Sequence, residues 1–428
     1  MTTQAAPVGR RILTPGVYVL LSLMLLGGLF AVRRLFFGIG SVTALDDQWP
    51  WGIWIAVDVA SGVALAAGGF TTAALAHVFN RRRYHALVRP ALLTAMLGYT
   101  FAVVGLMMDL GRWYNVWHPL LPSMWSGHSV LFEVGICVMC YLTVLYIEFG
   151  PVVVERFRGR VDLPGALAAF NGAAEFLMLA FDRTLGRVMA VFIIAGVLLS
   201  CLHQSSLGAL MVIVPYKMDP LWHTPILPLL FLLSAVAVGF PMVILESIWA
   251  ARSFGREPET DLLGSLSKIV PVLLLLYLGF KVGDMAIRGT FPLLFAGGHR
   301  PLFFGLEVVG GVVIPLVMFM TEQVRRSPQL LLTASLMVVL GVVLNRINVF
   351  LVAYDPVYAT RPYFPSFGEV AVTAGLVAGL LFAYRVFVTV FPVLPAEERR
   401  ASPARGEVSC KKRAGLPLFS SDSVDSSS

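Results

Sequence analysis

The stretch ILPLLFLLSAVAVGFPMVILESIWA, residues 226–250, decides the fold class, because its only charged residue is Glu246. About 20 apolar residues in a helix cross the hydrocarbon core of a bilayer. Similar runs recur along the chain, and they are continuous rather than alternating, which excludes an outer-membrane barrel. They predict an all-α integral membrane protein of about ten transmembrane helices. The predicted spans are 14–32, 51–79, 90–110, 127–149, 187–212, 226–250, 268–289, 301–320, 329–354 and 367–392.

The composition of the chain agrees with a membrane protein. Its 428 residues are 57% hydrophobic and 13% charged, whereas soluble proteins carry about 25% charged residues. The net charge of +7 does not indicate a nucleic-acid partner, because the basic residues lie between apolar segments and in the tail, as membrane topology requires. Four cysteines do not form a disulfide framework.

Three regions follow from the distribution of polar residues. Residues 1–13 form a polar N-terminal segment, residues 14–394 a membrane domain, and residues 395–428 a basic, Ser-rich tail that we predict to be disordered. The first apolar run lacks a clear cleavage site, so we interpret it as a retained helix. Within the longest internal connection, residues 161–181 are weakly amphipathic and predict a short interfacial helix.

Lys and Arg concentrate on one side of the predicted membrane domain. They occur in both terminal segments and in the connections between spans 2 and 3, 4 and 5, 6 and 7, and 8 and 9. The positive-inside rule therefore places both termini in the cytoplasm. The opposite loops, including 111–125, 215–225 and 354–365, are rich in Trp, Tyr and Pro. Part of this is the usual aromatic belt, but the density suggests a rigid outer face that docks a partner or covers a site.

Ionisable residues within the spans are the candidate functional groups, because each costs several kcal/mol unless it is paired or used. Helical rise places four of them roughly 9–14 Å below the outer ends of their spans. These are Asp58, Glu133, His203 and Arg346. Further groups at a similar level are Asp109, Lys281, Asp284 and Glu307, while Tyr99 lies mid-span and Glu246 near an inner end. Together they predict a polar cavity that opens outward.

Structural roles are the alternatives for several of these groups. Lys281 and Asp284 are three residues apart and would neutralise each other on one helix face. Arg346 would act as an ion-pair partner that holds helices together, and Glu246 would reach interfacial water. Glu133 and His203 are harder to explain in this way, because both are short and deep. A histidine also exchanges protons near neutral pH.

The sequence lacks the patterns of several cofactor sites. A membrane b-type cytochrome needs axial histidines paired across helices, and His77 and His203 lie at different depths. Cys137 and Cys140 form a C-x-x-C without a second pair, whereas zinc and iron–sulfur sites normally need four ligands. We therefore predict no haem, no iron–sulfur cluster and no metal site in this chain.

Specific blocks of sequence resemble a known family. The segment WGIWIAVDV at 51–59, the block HQSSLG at 203–208, and Asp109-Leu-Gly-Arg112 are similar to signatures of the NrfD/PsrC membrane subunits. The match resembles most closely the HybB-like branch, the membrane subunit of a nickel–iron hydrogenase. It covers most of residues 10–392, and the basic tail departs from it.

The resemblance implies a fold of two four-helix bundles with two additional helices. It implies that menaquinone or ubiquinone binds near the outer face as an exchangeable substrate, with no haem. Partners would be a ferredoxin-like iron–sulfur subunit on the periplasmic face and a catalytic redox subunit, a hydrogenase or another enzyme, in a bacterial inner membrane. Carried onto this chain, quinone binding falls on His203, Asp109, Asp58 and Arg346, and a proton route on Tyr99, Glu133 and Glu246.

The function predicted from the sequence is thus that of a quinone-binding membrane subunit of a respiratory oxidoreductase. It would exchange electrons between the iron–sulfur partner and the quinone pool, coupled to proton transfer. Two alternatives are a haem-free anchor without its own quinone chemistry and a secondary transporter. A transporter would also place charges near the midplane, but its Gly- or Pro-broken helices in matching halves are not evident.

Overall fold

The computed structural model describes residues 5–9, 11–159 and 171–395, and within them it contains ten helices long and apolar enough to cross a membrane. The predicted fold class, an all-α integral membrane protein, is confirmed. In chain order the helices are α1 (Pro15–Phe37), α2 (Trp54–His77), α3 (His85–Asp109), α4 (Val130–Phe157), α5 (Asn171–Val212), α6 (Leu227–Ser253), α7 (Thr260–Arg288), α8 (His299–Met320), α9 (Pro328–Val352) and α10 (Phe367–Val390).

The contacts between helices form two closed rings. Helices α2, α3, α4 and α5 each contact the next, and α5 returns to α2, which makes a first four-helix bundle. Helices α6 to α9 repeat this arrangement as a second bundle. The remaining helices, α1 and α10, pack against each other and then on α3 and α2. The implied architecture of two bundles with two additional helices is therefore present.

Serine side chains fix the starts of three helices. Ser129 accepts a hydrogen bond from Phe132 N at 3.3 Å at the start of α4, and Ser327 does the same for α9. At α10, Ser366 and Glu369 form a capping box, in which each side chain binds the other residue's backbone N–H. These contacts satisfy N–H groups that a first helical turn otherwise leaves unpaired.

Helix α5 differs from its predicted extent. Its 42 residues run from Asn171 to Val212, so residues 171–181 continue this helix and do not form a separate interfacial one; the rest of the expected interfacial helix, residues 161–170, lies outside the described residues. A helix of this length spans about 63 Å, roughly twice the hydrocarbon thickness. The additional turns carry Asp182, Arg183 and Arg187, which places them beyond the apolar layer.

Glycines allow the closest helix contacts. A Cβ atom at Gly27 of α1 would lie 2.7 Å from Ala371 O of α10, and Gly311 of α8 lies directly against Gly341 of α9. Small residues at such crossings let membrane helices approach closely. The glycines thus allow close packing in both helix pairs.

We expect Gly311→Ala to lower the free energy of unfolding by about 1–3 kcal/mol, because the added methyl group must push α8 away from α9. Thermal unfolding of the protein in detergent measures this change. Gly310→Ala is the matched control, since a Cβ atom at Gly310 meets no atom within 4 Å. Equal effects of the two substitutions would show that the α8–α9 approach is not close.

Candidate functional site

A fully buried histidine and tyrosine face each other inside the first bundle. His203 of α5 and Tyr99 of α3 are both 0% exposed, and His203 Nδ1 lies 3.3 Å from the Tyr99 hydroxyl. The Tyr99 ring packs edge-on against Tyr141 of α4, with 4.5 Å between ring centroids. His203 Nε2 is buried and has no hydrogen-bond partner among the residues that the structure describes. Two residues of the predicted set, one from the quinone site and one from the proton route, are therefore in contact.

The rest of the HQSSLG block joins α5 to its other neighbours. Gln204 Nε2 donates to Val63 O of α2 at 2.9 Å, while its Oε1 atom is buried and unpaired. Ser206 donates to Glu133 Oε1 of α4 at 2.5 Å. A Cβ atom at Gly208 would lie 2.7 Å from the Cα of Pro228, in α6. Gln204, Ser206 and Gly208 thus each contact a different helix.

Glu133 connects this buried set to the protein surface. Its contact, Ser206, lies three residues after His203 and hence on the same side of α5. Glu133 itself is exposed and lies in the first turn of α4, so the prediction that it lies deep in its span is wrong, because the helix begins only at Val130. The arrangement places a carboxylate at the surface and an imidazole in the interior, about one helical turn apart along α5.

Two of the predicted carboxylates, Asp58 of α2 and Asp109 of α3, lie at the same face of α3. Asp58 of α2 is 8% exposed, accepts a hydrogen bond from Thr373 Oγ1 of α10 at 2.8 Å, and contacts α3 at Gly105. Asp109 follows Gly105 by four residues, so it lies on the same face. The Oδ1 atom of Asp109 is buried and unpaired.

Arg34 was missed as a site residue, because the hydropathy pattern places it in a loop. It is 1% exposed, and it donates from Nε to Met108 O at 2.5 Å and from Nη2 to Leu110 O. These two carbonyls flank Asp109, so a guanidinium lies next to this carboxylate. The only signal in the sequence is that Arg34 lies two residues after the predicted end of the first span, at residue 32, so the helix could continue through it.

Glu369 is a second group, this time a carboxylate, that the sequence analysis missed. It is 0% exposed and accepts hydrogen bonds from Tyr363 Oη at 2.6 Å and from Ala44 N at 3.0 Å. Burial and the bond to this carboxylate raise the pKa of Tyr363. The Ser366-x-x-Glu369 pattern, a capping box, was the available signal.

Glu246 of α6 lies in a separate contact with α10. Tyr384 Oη donates to Glu246 Oε1 at 2.8 Å, and the Oε2 atom is buried and unpaired. No hydrogen bond among the described residues joins this pair to His203 or Tyr99. The structure therefore does not connect the predicted proton route along its whole length.

Arg346 belongs to a polar cluster inside the second bundle. It is 0% exposed, it donates to Asn345 Oδ1 at 2.6 Å and to Ser234 Oγ at 2.9 Å, and its guanidinium lies 3.7 Å from the centroid of the Phe231 ring. These contacts fit the structural alternative for Arg346, and no described hydrogen bond joins it to His203.

The prediction that Lys281 and Asp284 neutralise each other is wrong. Lys281 forms a buried ion pair with Glu307 of α8, because α8 brings a carboxylate into the bundle at its level. Asp284 instead pairs with Arg288 at 2.7 Å and accepts from Thr224 at 2.7 Å. The Glu307 carboxylate also accepts hydrogen bonds of 2.8 Å from three donors, Trp222 Nε1 in the connection between α5 and α6 and Asn345 Nδ2 and Asn348 Nδ2 of α9.

One carboxylate in each bundle lies where its helix departs from ideal α geometry. Asp58 lies in a π-helical segment, Trp54–Ser61, and Glu307 in another, Leu306–Val313. Such wide turns occur frequently at functional sites. Among the described residues, no group of three or more His, Cys, Asp or Glu side chains could hold a metal ion.

The family model described as "Polysulphide reductase, NrfD" matches residues 41–357. The chain belongs to the NrfD family. This match covers α2 to α9 and therefore includes both bundles, whereas α1 and α10 lie outside it.

Three relatives illustrate the range of complexes that contain NrfD subunits. The "Probable Ni/Fe-hydrogenase 2 b-type cytochrome subunit" of Escherichia coli (strain K12) is 35% identical over 92% of this chain and 96% of its own length. The "Menaquinone reductase, integral membrane subunit" of Nitratidesulfovibrio vulgaris is 26% identical over 86% and 89%. The "Hdr-like menaquinol oxidoreductase integral membrane subunit" of Archaeoglobus fulgidus is 22% identical over 83% and 87%. The likeness to the hydrogenase subunit agrees with the resemblance to the HybB-like branch.

Proposed function

We propose that this NrfD-family chain is the quinone-reactive membrane subunit of a respiratory oxidoreductase complex. It exchanges electrons between an iron–sulfur partner and the quinone pool and supplies the protons that accompany them. The His203–Tyr99 pair carries the proposal, because its buried imidazole retains one nitrogen without a partner. The names of the hydrogenase and menaquinone reductase relatives support the same reaction class.

The buried polar atoms of the first bundle suit a quinone headgroup. A neutral imidazole that accepts the Tyr99 hydroxyl proton at Nδ1 carries its own proton at Nε2. That N–H can donate to a quinone carbonyl. In the other tautomer Nδ1–H donates to the Tyr99 oxygen, and the free Nε2 can take a proton from a quinol. Gln204 Oε1, also buried and unpaired among the described residues, is a further acceptor for a quinol hydroxyl. Isoprenoid quinones are the lipid-soluble molecules with this chemistry.

Quinone reduction consumes two electrons and two protons, and quinol oxidation releases them. In our proposal the partner's clusters carry the electrons, while this chain binds and orients the substrate and moves protons. His203 and Tyr99 transfer protons at the headgroup, and Glu133 exchanges them with the surface through Ser206. Glu246, with Tyr384, would lie on the same route toward the other side of the membrane, although no hydrogen bond among the described residues joins this pair to His203 or Tyr99. Asp58 and Asp109, close to Arg34, bind the headgroup earlier on its path, because Asp109 lies ten residues and about 15 Å from Tyr99 along α3.

The proposed subunit contains no haem, although the Escherichia coli relative is named a b-type cytochrome subunit. His203 is the only fully buried histidine among the described residues, whereas bis-histidine haem needs two facing ligands. His77 and His85 contact each other edge-on at 4.8 Å, but they flank the short connection between α2 and α3. A pyridine haemochrome spectrum of the purified subunit tests this part of the proposal.

The loops at the end of the bundles opposite to the basic connections provide the proposed docking surface for the iron–sulfur subunit. Several of their aromatic side chains are strongly exposed, whereas Trp222 and Tyr354 are buried at 3% exposure. In this proposal both termini are cytoplasmic, and the partner lies on the periplasmic face of the inner membrane. The exposed aromatic side chains include Tyr114 at 58%, Trp117 at 48%, Trp125 at 54%, Tyr216 at 90% and Tyr358 at 84%.

We expect Glu133→Gln to lower quinone-dependent turnover of the whole complex about 10-fold, because the amide cannot relay protons from the surface. Turnover with a soluble dye that takes electrons directly from the partner subunits should not change. Glu155→Gln is the matched control on the same helix, where Glu155 pairs with Arg89 at 2.6 Å in a partly exposed contact. Unchanged quinone turnover in the Glu133 and His203 variants would instead favour a haem-free anchor, and solute uptake by proteoliposomes would favour a transporter.

A further inference from the structure

Two adjoining grooves lie at the end of the bundles opposite to the proposed docking surface. The first has a volume of about 990 Å³ and the second of about 690 Å³, and Arg83 and Ser265 line both. Neither groove contains a residue of the proposed quinone site. The first groove is lined by Leu75, Phe79, Asn80, Arg81, Arg83, Tyr84, Ser265 and Ile269.

The first groove lies at the boundary of the apolar layer. It is formed where α2 ends at His77, where α3 begins at His85, and by the first turns of α7. Asn80, with a backbone φ of 51°, makes the reversal after α2, and asparagine tolerates this left-handed conformation. The reversal keeps residues 81–84 at the membrane surface, next to α7.

The lining of this groove is apolar on one side and cationic on the other. Leu75, Ile269 and Phe79, whose side chain is 69% exposed, provide an apolar wall. Arg81 and Arg83 are exposed cations, and no acidic residue lines the groove. A soluble anion would leave the apolar wall in contact with water, whereas a phospholipid would cover it.

The cations of the first groove are not neutralised by carboxylates. Arg83 donates only to uncharged oxygens, Ser265 Oγ at 3.2 Å and Asp261 O at 3.4 Å, and the Arg81 side chain has no hydrogen bond among the described residues. The second groove differs in this respect, because Glu322 there pairs with Arg326 at 2.5 Å. The second groove also contains the cations Lys268 and Arg325 and the carboxylate Asp261. Of the two grooves, the first is therefore the one whose lining has cations and no carboxylate.

We propose that the first groove binds one anionic phospholipid. Its phosphate lies between the guanidinium groups of Arg81 and Arg83, where arginine can bind two phosphate oxygens at once. The hydroxyls of Tyr84 and Ser265 lie beside the headgroup, and the acyl chains follow Phe79, Leu75 and Ile269 into the apolar layer. Basic pockets between helices at this boundary suit such headgroups.

Native mass spectrometry of the delipidated complex, titrated with phosphatidylglycerol or with phosphatidylcholine of identical acyl chains, tests this proposal. We expect one phosphatidylglycerol per chain to bind in preference to phosphatidylcholine. Arg81→Gln/Arg83→Gln should weaken that binding about 30-fold, as the loss of two cations at a membrane surface implies. Arg187→Gln/Arg252→Gln removes the same charge from exposed positions outside the groove and should leave the binding unchanged.

Three results would overturn the proposal. They are equal affinity of the wild-type complex for the two lipids, equal weakening by the control double variant, and displacement of the lipid by millimolar inorganic phosphate, which would indicate a site for a soluble anion. Phe79→Ser gives an independent measurement, because it retains both arginines and should weaken phosphatidylglycerol without affecting any residual binding of phosphate. The wild-type lipid comparison remains decisive even if a variant assembles poorly.

Discussion

Quinone-dependent turnover is expected to fall about 100-fold when His203 is replaced by glutamine, because positioned acid–base groups typically contribute at least this factor. Glutamine can keep a hydrogen bond to Tyr99 but cannot take up and release a proton. The measurement compares quinone turnover with dye-coupled turnover of the same purified complex. The variant should lose only the first, since the imidazole is not part of the partner's electron path.

A matched substitution separates chemistry from folding in this experiment. His85→Gln changes an exposed histidine outside the bundle interior and should retain full turnover. Tyr99→Phe removes the hydroxyl next to His203 Nδ1, and we expect it to change the pH profile of quinone turnover because the imidazole loses its fixed tautomer. If His203→Gln assembled normally and retained wild-type quinone turnover, the proposed function would be refuted.

The largest expected loss of stability follows from Lys281→Met. The substitution leaves the Glu307 carboxylate buried at 2% exposure without its cation, and removal of one partner of a buried ion pair typically costs 3–5 kcal/mol, here about 4 kcal/mol. The hydrogen bonds from Trp222, Asn345 and Asn348 only partly offset this cost. Thermal unfolding in detergent and the yield of assembled complex both measure it.

The double variant Lys281→Met/Glu307→Gln should recover much of that loss, since it removes the unpaired charge while an amide oxygen still accepts hydrogen bonds. Arg326→Met is the control, because its partner Glu322 is 66% exposed and such surface pairs contribute about 0–1 kcal/mol. A double variant as unstable as the single one would show that lost packing, and not an unpaired carboxylate, causes the effect.

The apolar runs predicted the number of spans because the bilayer requires a similar length of apolar helix in every span. Hydropathy did not predict the full length of α5, whose N-terminal part carries Asp182, Arg183 and Arg187. Hydropathy reports where the apolar layer ends, but a helix ends only where its backbone is interrupted. No proline interrupts residues 171–186, so the helix continues beyond the membrane.

The depth of most ionisable residues in the membrane could be estimated from the sequence, but their ion-pair and hydrogen-bond partners could not. Lys281 and Asp284 are close along one helix, yet the pair that forms joins Lys281 to Glu307, which is 26 residues away in sequence. Arg346 lies at a similar predicted depth to His203, but the two belong to different bundles. Partners depend on how the helices are arranged around each ring, and this information is not contained in the periodicity of a single helix.

For His203 and Tyr99, the residues could be selected from the sequence but their contact could not. The block that contains His203 and the depth of Tyr99 were both evident, so the two residues were singled out, although in different roles. Only the closure of the ring, which brings α3 and α5 to face each other across the bundle, shows that they form one unit. Similarly, Gly105 links Asp58 to the face of α3 that carries Asp109, and no spacing between 58 and 109 could have indicated this.

The HQSSLG block has a consequence for how the protein matures. Its residues contact four different helices within two turns, and one inserted residue would rotate all that follow by about 100° and break these contacts together. No subset of the helices can therefore present the complete set of groups. A chain in which α2, α3, α4 or α6 has not yet packed on α5 therefore lacks at least one of these contacts.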